Sequence, residues 1–173
     1  MSWLIDSAGD QLAILKNISL ILVACWLGAA ILFSSVVAPA AFSVLRTYQI
    51  TNASEIAGAI VNRSLSVINV SGFLLGVFAL LIAFTLRGQR TSFWIETIAL
   101  AVLTVMTAVG QWIIAARIRA LRAALAVPID QLRLDDPQRI AFGNLHRYSV
   151  IALSVAMIAA LVASLFLART ARH

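Results

Sequence analysis

Four long stretches of this chain carry no ionised side chain: Asn17 to Leu45, Ser64 to Leu86, Thr97 to Ala116 and Tyr148 to Ala168. Charge is costly at the centre of a bilayer, and about 18 apolar residues suffice to cross one, so each gap is long enough for a membrane span. The spans must be helical, because lipid offers no partner to backbone N–H and C=O groups, and windows of about 20 residues are twice the length of a barrel strand. The pattern predicts spans over 15–37, 65–86, 93–116 and 149–167, inside a single transmembrane domain covering 1–173. The fold class is all-α, an integral membrane four-helix bundle. Trp94 and Trp112 fall near the two ends of the third span, where amphipathic rings prefer to sit.

The polar signals between the spans predict helical extensions on one membrane face, the side holding the loops after spans one and three. Asn52 with Glu55 three residues later has the shape of a capping box, so a helix starts near Ala53 and runs into span two, bending at Gly58. Asp136 before Pro137 is a second helix start, ahead of span four. Beyond span three, Ile118, Leu121 and Leu125 continue an apolar stripe while Arg117, Arg119 and Arg122 stay in water, until Pro128 stops the helix. Ala38-Pro39-Ala40 has the look of a leader cleavage site, but the apolar run before it exceeds the usual length of about 7–15 residues, and Asp6 and Asp10 precede it with only Lys16 to oppose them. The first helix is therefore expected to stay.

Composition agrees: 62% of residues are apolar and 12% charged, against about 45–50% and about 25% in ordinary soluble domains. The net charge of +6 comes from basic residues set between apolar runs, a placement that suits anionic lipid headgroups and not nucleic acid. The loop-rich face holds Arg46, Arg63, Arg117, Arg119, Arg122, Arg133, Arg139 and Arg147, eight against the five of Lys16, Arg87, Arg90, Arg169 and Arg172 opposite. That excess predicts a cytoplasmic loop-rich face, with both termini on the non-cytoplasmic side of a bacterial inner membrane. One cysteine, Cys25, rules out an intrachain disulfide.

Helices in lipid associate where small side chains let backbones approach. Span four shows such a face in Ala152, Ala156, Ala160 and Ser164, span two in the Gly72 and Gly76 pair, and span one in Ala24 and Gly28. Packing within one chain is the reading preferred for these stripes, with a homodimer seam as the alternative.

Chemistry is thinly supplied. His146 is the only histidine besides the terminal His173, and helical spacing puts it near Ser149 on the inward face of span four, at the membrane boundary. Its functional readings are a metal or haem ligand or a proton-transfer group; the structural one is a histidine bonded to a neighbouring helix end or to water. Ser34, Ser35, Asn69, Gln111 and Ser149 occupy a similar depth and are candidates to line a small polar pocket with His146. Amides inside a bilayer must find partners, so for Asn69 and Gln111 interhelical bonding is the heavier reading. No carboxylate or basic group lies deep in a span, which weighs against a proton pump or ion-coupled transporter. A bis-histidine haem within one chain is nearly excluded, no acid is placed to orient His146 for Ser-His-Asp catalysis and no nucleophile elbow is visible, and phosphate-binding glycine loops are absent from the sequence.

Two motifs carry a resemblance. Trp26-Leu27-Gly28, Phe33, Val36-Val37-Ala38-Pro39, Phe42 and Leu45 resemble the first-helix signature of the family typified by transmembrane protein 205, also catalogued in bacteria as a domain of unknown function. Phe142-Gly143-Asn144-Leu145-His146 with Ser149 is similar to that family's Leu-His motif opening the last helix. The resemblance implies a four-helix membrane protein with Pro39 and His146 at the same face and no settled activity. Leu153 stands where that family leads one to expect a polar residue. A more distant likeness to copper-resistance D-type proteins suggests metal, but their multiple histidines are missing. The expected function is non-enzymatic: interaction, as a homo-oligomer or accessory subunit of a membrane assembly. The alternative is handling of copper, haem or a small solute in the pocket around His146.

Overall fold

A computed structural model describes residues 2–85, 91–125 and 127–170, with side chains described from Ile14 onward except for 91–92 and 170. The sequence signals translate into long helices: α1 (Ser2–Leu32), α2 (Ala38–Thr47), α3 (Ala53–Thr85), α4 (Thr91–Ala108), α5 (Ala115–Ala123) and α6 (Pro137–Thr170). A π turn at Phe33–Val37 joins α1 to α2 and another at Val109–Ile114 joins α4 to α5, so the six helices form four rods. Each rod contains one stretch long and apolar enough to cross a membrane, and the chain is a multi-pass membrane protein built as an all-α four-helix bundle.

The rods follow one another around the bundle. α3 packs against α1 and α4, α6 packs against α4, and α6 closes the ring on α1. Small residues set the spacing. Ala156, Ala160 and Ala163 of α6 are wholly buried, and Ala152 nearly so. A Cβ on Gly72 would lie 2.7 Å from the Trp26 ring and 2.8 Å from Thr107 Cγ2, and one on Gly76 would overlap the Thr104 hydroxyl. These glycines are what let α3 approach its neighbours. Leu100, Leu103, Val23 and Trp26 fill the space between.

Gly28 departs from expectation. A Cβ there would meet nothing within 4 Å, and Ala24 is exposed too. The buried face of α1 is the one through Ser19, Val23, Trp26 and Ala30. Trp26 carries far more apolar area than a pair of small residues, so its burial orients the helix and turns Gly28 outward.

All four rods extend on the loop-rich side, one more than the sequence pattern predicts; the additional extension is α2. Its π turn has the Ala38 N–H bonded to the Phe33 carbonyl, and Pro39, with no N–H to give, follows at the start of α2. α1 packs along α6, whereas α2 keeps its contacts with α3 and scarcely touches α6. The first and last rods therefore part at this end of the bundle.

Local signals hold in part. α3 begins at Ala53, but Asn52 takes φ 59° and its carbonyl, not its side chain, receives the Glu55 and Ile56 N–H groups, both at 3.0 Å. The Asp136 carboxylate caps α6 as expected, accepting from the Gln138 N–H at 2.8 Å. The helix after span three stops at Ala123, five residues before Pro128.

Candidate functional site

The parting of α2 from α6 leaves a cavity of about 690 Å³. Its walls come from the first rod (Phe33, Ser34, Pro39, Phe42), from α3 (Glu55, Gly58, Asn62, Leu65) and from α6 (Phe142, His146, Ser149, Leu153, Met157), and Arg122 and Asp130 close it on the loop side. Most of this lining is apolar. Val150, 52% exposed on α6, also borders the cavity, so the wall reaches the outer surface of the bundle.

Of the residues named from sequence, the fold brings His146, Ser149 and Ser34 together on this cavity, with Pro39 beside them. His146 is exposed; Ser149 is buried one turn deeper. Ser34 Oγ donates to the Ala30 carbonyl at 2.8 Å, a bond within its own helix. The other three lie elsewhere. Ser35 is exposed and bonds back to the Ile31 carbonyl at 2.7 Å, because one residue on from Ser34 a helix has turned by about 100°. Asn69 is buried between α3 and the third rod, where a Cβ on Gly110 would lie 3.0 Å from its Nδ2. Gln111 Nε2 donates to Ser66 Oγ at 2.9 Å, which ties the π turn of the third rod to α3. The buried Gln111 Oε1 has no partner among the described residues.

The functional group that periodicity missed is Arg122. Expected in water beside Arg117 and Arg119, it is only partly exposed. Its guanidinium rests on the backbone at Gly58, where a Cβ would collide with it, and lies 5.3 Å from the centre of the Phe142 ring. The signal was present: Arg122 stands four residues after the buried Ile118, hence on the same side of α5 and not opposite to it. Gly58 permits the approach, and Phe142 offers the π face that a cation prefers. Among the described residues the one ion pair is Arg133 to Asp135 at 3.1 Å on the surface, so Arg122 enters the cavity without a carboxylate partner.

Among the described residues no three of His, Cys, Asp or Glu come close enough to hold a metal ion together. What the arrangement offers is a mostly apolar slot carrying a few polar groups, the make-up of a binding pocket.

A family model for a domain of unknown function (DUF4149) matches residues 21–126, well over half of the chain. The match takes in the first-rod, α3 and α5 walls with Pro39, Gly58 and Arg122; the α6 wall with His146 lies after it. No curated protein and no solved structure matches the chain.

Proposed function

The chain belongs to the DUF4149 family, and on that premise we propose that this membrane protein binds an amphipathic molecule of the bilayer in the cavity between α2 and α6, without acting as an enzyme. One observation carries the reading. The cavity of about 690 Å³ falls within the range of ligand pockets, about 300–1,000 Å³, and shares their make-up of mostly apolar walls with a few placed polar groups. This is the small-solute form of the function expected around His146. Copper or haem binding, suggested by the likeness to copper-resistance D-type proteins, would have one imidazole, His146, and one thioether, Met157, to draw on among the described cavity residues. Accessory or homo-oligomeric roles remain compatible with a ligand-binding subunit. The likeness of the first and last helices to the transmembrane protein 205 family, a bacterial inner-membrane location and a cytoplasmic loop-rich face complete the proposal; the last rests on eight basic residues against five.

The test is native mass spectrometry of the full chain extracted in mild detergent, beside a Ser149→Phe variant that fills the cavity. The wild type should retain an amphiphile of the membrane and the variant, with unchanged helix content, should lose it. A wild type that carries nothing, or a folded variant that carries as much, would defeat the reading.

A further inference from the structure

The polar groups of the cavity are stacked in a definite order. Along α3 the lining residues include Glu55, Gly58, Asn62 and Leu65, three or four positions apart and so on one face, descending about 1.5 Å per residue. The Arg122 guanidinium sits at the level of Gly58, a turn below Glu55. Asp130, on the short helical turn Ile129–Gln131 that touches α3, joins Glu55 at the mouth, and both carboxylates are exposed. Below Arg122, α6 contributes His146, then the buried Ser149 and Leu153, then Met157. From the inside outward the ionisable groups of this mostly apolar cavity thus run imidazole, guanidinium, two carboxylates. No ion pair within 4.0 Å joins Arg122 to either carboxylate among the described residues, so the opposite charges stand apart instead of cancelling each other.

We propose that the ligand is an aminophospholipid, a molecule whose acyl chain, phosphate and terminal ammonium follow in the matching order. This assignment rests on the cavity binding an amphiphile at all. The chain lies along Leu65, Leu153 and Met157. Arg122, held between Gly58 and Phe142, meets the phosphate with the forked donors that suit its oxygens, and the His146 ring offers a donor a turn deeper. Glu55 and Asp130 receive the ammonium. The charge balance selects the headgroup: the lining carries two carboxylates and one guanidinium, so a headgroup that is only anionic meets more like charge than opposite charge. A quaternary ammonium brings charge but no N–H donor, and free phosphate would leave the apolar walls uncovered.

The full chain in detergent is titrated with four lipids of identical acyl chains (phosphatidylethanolamine, phosphatidylcholine, phosphatidylglycerol and diacylglycerol), with binding read by native mass spectrometry. The expected preference for phosphatidylethanolamine over phosphatidylglycerol is about tenfold, the effect of one charge-assisted contact. Exchanging both exposed carboxylates, in Glu55→Gln with Asp130→Asn, should erase that preference while phospholipid binding persists. Arg122→Gln should weaken all three phospholipids and leave diacylglycerol unchanged. Equal or better binding of phosphatidylglycerol by the wild type, an unaltered preference in the carboxylate variant, or displacement of phosphatidylethanolamine by millimolar inorganic phosphate would each overturn the headgroup assignment and leave the cavity reading standing. Failure of all four lipids to bind defeats the cavity reading itself.

Discussion

The indole N–H of Trp26 donates to the backbone carbonyl of Ile68 at 2.9 Å, crossing from α1 to α3. The Ser71 hydroxyl donates to the same oxygen at 3.0 Å. The contact requires Gly72, since a Cβ there would occupy the place of the ring. One residue without a side chain thus admits a large ring, and the ring's only polar atom finds its partner in the helix that made room for it. In lipid an indole N–H with no partner would carry a desolvation cost of a few kcal/mol.

That relationship predicts an order among variants. Gly72→Ala forces Trp26 or Thr107 to move and should cost about 1–3 kcal/mol. Trp26→Phe keeps most of the ring and loses the donor, at about 1 kcal/mol. Gly28→Ala, whose new methyl meets nothing, should be neutral. Reversible unfolding in mixed micelles ranks the three; a Gly28→Ala as damaging as Gly72→Ala would mean that the faces of α1 are misassigned.

Gln111 and Ser66 should respond asymmetrically. Ser66→Ala strands Gln111 Nε2 beside an Oε1 that already lacks a partner among the described residues, and leaving a buried polar group unmet costs about 1–3 kcal/mol. Gln111→Leu removes both polar atoms together and should cost less. A double-mutant cycle in micelles measures the coupling, expected near 0.6 kcal/mol as for other hydrogen bonds between membrane helices. Equal losses in the two single variants would contradict the hydrogen bond as drawn.

Cys25 is exposed on the outer side of α1, and the bilayer must cover it if this rod spans as described. A water-soluble maleimide does not enter the hydrocarbon of a bilayer. In intact membranes Cys25 should resist a water-soluble maleimide and become labelled once the protein is denatured in detergent. Rapid labelling in membranes would place this stretch of α1 in water.

Orientation has a separate reporter. Leu134, 80% exposed in the connection before α6, can carry the only thiol in a Leu134→Cys, Cys25→Ser protein. With the loop-rich face in the cytoplasm, an impermeant maleimide should label it only after the cells are opened. Labelling of intact cells would invert the assignment.

Much of the bundle could be read from the spacing of charges, because a bilayer penalises ionised groups so heavily that their gaps mark the spans. The α6 face was equally legible in Ala152, Ala156 and Ala160, all now buried. Gly28 was not, since a small residue signals close packing only if its helix is turned that way, and the bulk of Trp26 decided the turn. Of the site, His146, Ser149 and Ser34 were legible from depth and helical phase. Asn69, Gln111 and Ser35 share that depth but not the phase: Ser35 is one helical step on from Ser34, Asn69 lies on the side of α3 that meets the third rod, and Gln111 sits in a π turn, which shifts phase relative to an unbroken helix. Arg122 was hidden by the expectation that arginine belongs in water. The residues that admit it, Gly58 and Phe142, are distant in sequence, and neither points to a cation by itself.

The parting of α2 from α6 is confined to one end of the bundle. A bilayer is two sheets laid back to back, and a slot at one end faces one of them. At the other end, among the described residues, α1 lies against α6. If the cavity takes a molecule of the bilayer, as proposed, the two leaflets are different reservoirs for it: a molecule already in the near leaflet would reach the cavity by sideways diffusion, while the same molecule in the far leaflet would first have to cross the membrane.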